Sequence, residues 1–305
     1  MTVARTSHRG ATAWRRRTTG AAMAAPALLL FGLFGIVPLS GVVILSFTGW
    51  DGLGAISWTG AANWTSVLTD SATWDALWLT AKVMVLSWLL QTPIALALGL
   101  FQAAAGRWRA LLAVLFFLPL LLSAVAVGLT WQALLDPAFG IGATPGLGWL
   151  ARPLLGDPDL ALYAVIFVIA WQFIPFHALL YQAGVRQIPV SLYEAAAIDG
   201  AGRGDRFWRI TLPQLRYTVV TSTTLMLVGS LTYFDLIFVL SGGTGGPGTA
   251  TRVLPLAMYI TGFQAHDMGR ASAIATILVF TGLALSLITT KWSGFTRMAS
   301  QQEGS

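Results

Sequence analysis

The chain has 305 residues, 56% of them hydrophobic and only 10% charged, with a net charge of +6 and a mean hydropathy of +0.72. A soluble domain is closer to a quarter charged, so the composition excludes an ordinary globular enzyme and points to an integral membrane protein. Cysteine is absent, which excludes a disulfide framework and a thiolate metal site. The basic excess follows no single stripe, which argues against a nucleic-acid partner.

Residues 1–20 carry Arg5, Arg9 and the run Arg15-Arg16-Arg17. They read as a polar tail, with a secretory or twin-arginine signal as the alternative. The 27 uncharged residues of 21–47 are too many for a signal core and enough to span about 30 Å of hydrocarbon. Pro26 and Pro38 are expected to kink that span. An outer loop over 48–76 holds Trp50, Trp58, Trp64 and Trp74. These fit an aromatic belt at headgroup level, with a binding box as the alternative.

A second span is expected over 77–100, with Lys82 snorkelling from its outer end. Arg107 and Arg109 mark an inner turn, and a third span over 110–135 carries Pro119, Ser123, Thr130, Trp131 and Gln132. After an outer loop, a fourth span covers 160–183 and includes Trp171, Gln172, Pro175 and His177. A charged inner segment fills 184–216. The fifth span is expected over 217–240, an outer segment over 241–270, and the sixth span over 271–290, followed by a tail at 291–305.

Fourteen of the eighteen lysines and arginines then fall on one face, in residues 1–20, 107–109, 186–216 and 291–297, against three on the other. By the positive-inside rule both termini are cytoplasmic. The expectation is an all-α membrane protein of six transmembrane helices. Asp235, about 18 residues past Tyr217 and so some 27 Å along a straight helix, should reach the outer interface. Trp131, Gln132, Gln172 and Asp235 are candidates for lining a solute path, with helix–helix hydrogen bonding as the alternative role.

The inner segment is organised around residues 191–213, SLYEAAAIDGAGRGDRFWRITLP. Ser191 and Glu194 have the spacing of a capping box, which starts a helix. Gly200 is placed to close that helix in the left-handed conformation. A second helical turn is expected near Asp205, carrying Phe207, Trp208 and Ile210 until Pro213 interrupts it. A helix this short needs a packing partner, and three consecutive alanines allow close approach by another protein. The local reading, a capping box around Glu194 and a backbone bond from Asp199, stands beside the docking one.

Glu194-Ala195-Ala196, Gly200, Ile210, Leu212 and Pro213 resemble the EAA signature of permease subunits of binding-protein-dependent ABC importers. Asp199-Gly200-Ala201 and Phe207 resemble the carbohydrate, maltose-type branch. Phe234-Asp235 with the glycines before Pro247 is similar to a second stretch of that family, and Tyr217 stands where relatives often have a second proline. The resemblance implies a type I ABC importer permease fold in a bacterial cell membrane. It also implies that Glu194, Ala195, Ala196, Ala197, Asp199, Gly200, Ala201, Arg203, Phe207, Ile210, Leu212 and Pro213 couple the chain to an ATPase. The implied partners are two ATP-binding subunits, a second and different permease subunit, and an extracytoplasmic solute-binding protein, with a sugar or polyol as cargo.

The chain has no G-x-x-x-x-G-K-[ST] phosphate loop, so ATP would have to be bound by another chain. Neither a catalytic constellation nor a cofactor site is expected, and His8, His177 and His266 are too scattered for a metal. The rival reading is a secondary transporter or channel coupled to an ion gradient, which would need buried ionisable relays or matched broken helices.

Overall fold

The computed structural model describes residues 23–104 and 106–293. The expected N-terminal tail, the first residues of the first span and the C-terminal tail beyond 293 lie outside the described residues. The first helix, α1, runs Met23–Leu45 and its most apolar stretch buries nothing against the rest of the chain, as suits a lipid-facing span. Its ladder widens into a π turn at Gly32–Ile36, where the Val37 N–H reaches the Gly32 carbonyl. Pro38 follows directly and has no N–H to offer the preceding turn.

The outer loop makes a two-stranded antiparallel ribbon, β1 (Thr48–Gly49) with β2 (Ser57–Trp58), in which Thr48 faces Trp58. Asp51 closes it: its carboxylate accepts the Leu53 and Gly54 N–H groups at 2.9 and 2.6 Å. Those bonds, that from Gly54 first, hold the Asp51 pKa below the ordinary carboxylate value. The tryptophans expected as a belt divide. Trp58 and Trp74 are exposed, whereas the Trp64 Nε1 donates to Ser46 Oγ at 3.1 Å. Its neighbour Asn63, on the short helix α2 (Ala62–Thr69), donates to both the Ser46 and Thr48 carbonyls.

Helix α3 (Ser71–Ala103) starts at Asp70, whose side chain accepts the Ala72 N–H. Its 33 residues reach about 50 Å, beyond the expected 77–100. The residues it buries, Thr73, Ala76, Thr80, Val83, Ser87, Gln91, Ala95, Gly99 and Gln102, fall every three or four positions and form one seam of small and polar side chains. That seam meets α6 (Ala161–Arg186), the most buried of the long helices. At Gly99 an added Cβ would lie 2.6 Å from Tyr181 Cβ and 2.7 Å from the Ala178 carbonyl oxygen, so only glycine allows this approach.

The expected third span, 110–135, is two helices: α4 (Arg107–Leu121) and α5 (Ala124–Leu134), bent by 97°. Pro119 weakens the last turn of α4, and Ser123 Oγ accepts the Ala126 N–H to start α5 afresh. The expected fifth span, 217–240, is also interrupted. Helix α9 (Arg216–Ser230) ends, residues 231–234 turn, and α10 (Asp235–Leu240) begins. Between α6 and α9 lie two short pieces: α7 (Val190–Ile198), and α8 over 203–214, which passes through a π turn at Phe207–Thr211.

Residues 241–270, expected as an outer loop, contain a buried helix, α11 (Leu254–Tyr259), extended by a π turn at Ile260–Gln264. Leu254 and Leu256 are fully enclosed, and the Leu254 N–H donates to Thr80 Oγ1 of α3 at 2.8 Å. The last helix, α12 (Met268–Ser293), closes the bundle against α1, α9 and α11. Its first turn is tied down by an ion pair from Arg270 to Asp70 and by the Met268 N–H on the Trp50 carbonyl. Four described helices are long and apolar enough to cross a membrane, or five if α4 and α5 form one span.

The α3–α6 approach sets the first expected outcome. Gly99→Leu should cost about 1–3 kcal/mol through overpacking, read as a lowered melting temperature of the purified chain. Gly32→Leu, where no atom lies within 4 Å of the added Cβ, should leave it unchanged.

Candidate functional site

Two features of this bundle invite a function: the helix α7 that it pushes out at one end, and a cavity inside it. Helix α7 begins two residues before the position that a Ser191 cap would set. Its N-cap is Pro189, no side chain caps it, and the Leu192 N–H reaches the Pro189 carbonyl at 3.2 Å. Proline suits a helix start because its missing N–H would have no partner there. Ser191 and Glu194 therefore sit inside the first turns, and the expected capping box is not formed.

The expected end of the helix is found. Gly200 has φ +75°, its N–H bonds the Ala197 carbonyl, and the Ala201 N–H bonds the Ala196 carbonyl at 2.8 Å. This pair of bonds is the Schellman closure that glycine favours. The second helical turn starts at Arg203, ahead of the expected Asp205. Pro213 does not end it, because the π turn brings the Leu212 N–H to Phe207 before the proline is reached.

No residue of α7 is buried. Val190 and Ile198 are 68% and 87% exposed, and Ala195, Ala197, Glu194, Asp199 and Arg203 also face out. Neither carboxylate makes a hydrogen bond or ion pair within the described residues. Among the described residues the helix is fastened from behind by two side-chain bonds: Tyr193 Oη meets Thr211 Oγ1 at 2.9 Å, and Arg206 Nε donates to the Ala201 carbonyl. Phe207, Ile210 and Leu212 are half-buried beside it, and Pro213 is exposed. Helix α7 therefore presents apolar side chains edged with charge, on a helix closed at its far end by Gly200.

The cavity, of about 420 Å³, lies between α6, α9 and the 231–234 break. It brings together Gln172 and Asp235, two of the four candidate path residues, with Phe173, His177, Thr232 and Tyr233. Asp235 is thus level with the middle of α6 rather than at the outer interface, because the break ends the straight rise that would have carried it there. Gln172 is almost fully buried. Its Nε2 donates to the Leu122 carbonyl at the α4–α5 bend, at 3.4 Å, and its Oε1 has no partner among the described residues.

Trp131 and Gln132 lie apart from this cavity. Trp131 packs edge-on against Phe167 and Trp171, and Gln132 Nε2 donates to the Val239 carbonyl at 2.8 Å, which fixes α5 to α10. His177, named in the sequence only as a polar residue of the fourth span and weighed there for a metal, was not among the path candidates; its Nδ1 is 2.9 Å from Ser222 Oγ, and Tyr233 was likewise not singled out. Their signal was a buried polar side chain in an apolar helix and an aromatic next to a break.

The profile of the family described as binding-protein-dependent transport system inner membrane component matches residues 91–295. This chain belongs to that family. The permease is 34% identical over 277 residues to a probable ABC transporter permease protein of Pyrococcus horikoshii, covering 88% of this chain and 93% of that one. It is 33% identical over 272 residues to the multiple sugar-binding transport system permease protein of Streptococcus mutans, covering 87% and 92%. A solved bacterial alginate ABC transporter, in complex with an alginate pentasaccharide-bound periplasmic protein, contains a chain of the same fold. Its TM-score is 0.76 at 22% identity, covering 92% of the permease and 95% of that chain. The fold is therefore that of a type I ABC importer permease, and the permease is a membrane-embedded transport subunit.

The cap geometry predicts that Gly200→Val, which forces a branched side chain to positive φ, costs about 1–2 kcal/mol locally. Hydrogen exchange over 190–201 should accelerate by roughly 5- to 30-fold, with α3 and α6 unaffected.

Proposed function

We propose that the permease is one half of the membrane pathway of an ATP-driven importer, moving a mono- or oligosaccharide delivered by an extracytoplasmic binding protein. The observation that carries this reading is α7, an outward-facing helix with unpaired Glu194 and Asp199, held from behind. A transport subunit with no phosphate loop needs a contact through which another chain's ATP hydrolysis can move it. Glu194, Ala195, Ala196, Ala197, Asp199, Gly200, Ala201 and Arg203 form that contact, and Phe207, Ile210, Leu212 and Pro213 join it to α9.

In this assembly two ATP-binding subunits grip a pair of permeases, this chain and a different homologous one, in a bacterial inner membrane. The chain crosses six times with both termini cytoplasmic, the bent pair α4–α5 and the broken pair α9–α10 each counting as one crossing. Support comes from the positive charge gathered on the α7 side. A sugar cargo is supported by the Streptococcus mutans relative, named for multiple sugars, and by the cavity itself. Phe173 and Tyr233 offer adjacent ring surfaces there, 5.2 Å apart, beside the hydrogen-bonding groups of Gln172, Thr232 and Asp235. Its volume falls in the range of small-ligand sites.

Because the chain lacks cysteine, one introduced at Ala196 or Ala197 should crosslink to an ATP-hydrolysing subunit in native membranes. Crosslinks that never capture such a subunit refute the docking role, and solute flux driven by an ion gradient through the permease alone in liposomes supports the rival transporter. Gln172→Ala and Asp235→Asn should each lower sugar uptake at least ~10-fold, on the order of one lost hydrogen bond to a buried or charged group, without weakening the Ala196 crosslink. Gln132→Ala should leave uptake near normal while lowering thermal stability.

A further inference from the structure

On the other side of α6 from α9, a groove of about 280 Å³ runs between α4 and α6, with Gln102 of α3 on its wall. Ala113, Phe117 and Leu121 line it from α4, and Leu179 and Gln182 from α6. Residues 113–121 cover about 12 Å of helix, within the roughly 15 Å of a single leaflet's hydrocarbon. Apolar side chains beside it on α4 are open to the surroundings, Leu121 at 69%.

One end of this groove is cationic. Arg109 precedes Ala113 by four residues and Arg186 follows Gln182 by four, so each extends the groove's own face by a helical turn. The two belong to the same end. The Gln102 carbonyl accepts from Gln182 Nε2 at 2.9 Å and from Arg186 Nη2 at 3.4 Å, and the Arg109 guanidinium lies 5.1 Å from the centre of the adjoining Phe101 ring. Arg107 adds a third cation, and Trp108 between them is 78% exposed, as expected of an anchor at headgroup level.

Among the described residues no ion pair neutralises these arginines. Residues 76–135 and 160–193, which contain both groove helices, include no Asp or Glu, and the ion pairs of the described residues involve neither Arg107, Arg109 nor Arg186. An apolar slot one leaflet deep, ended by uncompensated guanidiniums, is complementary to a molecule with an alkyl chain and an anionic head.

We propose that this groove binds an anionic phospholipid of the cytoplasmic leaflet, with an acyl chain along α4 and α6 and its phosphate on Arg109 and Arg186. The leaflet, though not the lipid, rests on the sidedness given under the proposed function. The full-length chain, delipidated and presented with phosphatidylglycerol or phosphatidylcholine of identical acyl chains, is read by native mass spectrometry. Phosphatidylglycerol should be retained preferentially, and Arg109→Gln and Arg186→Gln should each reduce its retention about fivefold. Ala113→Trp, which fills the slot and keeps the arginines, should abolish it. Equal retention of the two lipids, or full retention in Ala113→Trp, overturns the proposal. So does a photocrosslinker at Phe117 that captures a second permease chain instead of lipid. The assay reads no uptake, so its failure leaves the transport reading intact. A single cysteine at Trp108 that is labelled only from outside the cell removes the leaflet assignment.

Discussion

The constraint on which the bundle depends is the meeting of α3 with α6 at Gly99. In a bilayer, apolar burial drives helices together no better than lipid does, so contact depends on small residues and on hydrogen bonds between helices. Both are present: the absent side chain at Gly99 lets Ala178 and Tyr181 approach the α3 backbone, and the Gln102 carbonyl gathers donors from Gln182 and Arg186. The rest is hung from this pair. Gly184 permits Thr218 and Leu215 to close in from the α9 side, Trp88 of α3 donates to Thr223 of α9, and α11 is pinned to α3 through Thr80. Helix α7 begins only four residues after α6 ends, so its place is set by this junction as well.

The long apolar helices were legible because length and absence of charge suffice to identify them; the start of α3 moved because its cap, Asp70, lies outside the apolar run, and α3 and α6 each run three residues past their expected ends. Helix α7 was legible for a different reason. Its closing glycine and alanine run are local signals, read without knowledge of what surrounds them. Its start was misread because two local signals competed, the Ser191–Glu194 spacing and Pro189, and the proline's fixed geometry won.

What hydropathy hid were the interruptions. A run of uncharged residues at 110–135 looks the same whether it crosses straight or turns by 97°; Pro119 and Ser123 were in view, but only the Gln172 side chain, reaching the Leu122 carbonyl, explains how the freed backbone is satisfied. The break before Asp235 and the burial of α11 are likewise decided by neighbours distant in sequence. For the cavity the result is mixed. Gln172 and Asp235 were visible as polar residues in apolar surroundings, but so were Trp131 and Gln132, and nothing local shows which of them meet at one cavity.

The rim where α1, α3 and α12 converge is locked several times over: by Arg270 on Asp70, by Asn63 on two carbonyls, and by the backbone bond from Met268 to Trp50. Among the described residues the cavity has no comparable fastening where its lining helices are interrupted, at residues 122–123 and 231–234, so the ties of the bundle are gathered at its rim and thin out around the space it encloses.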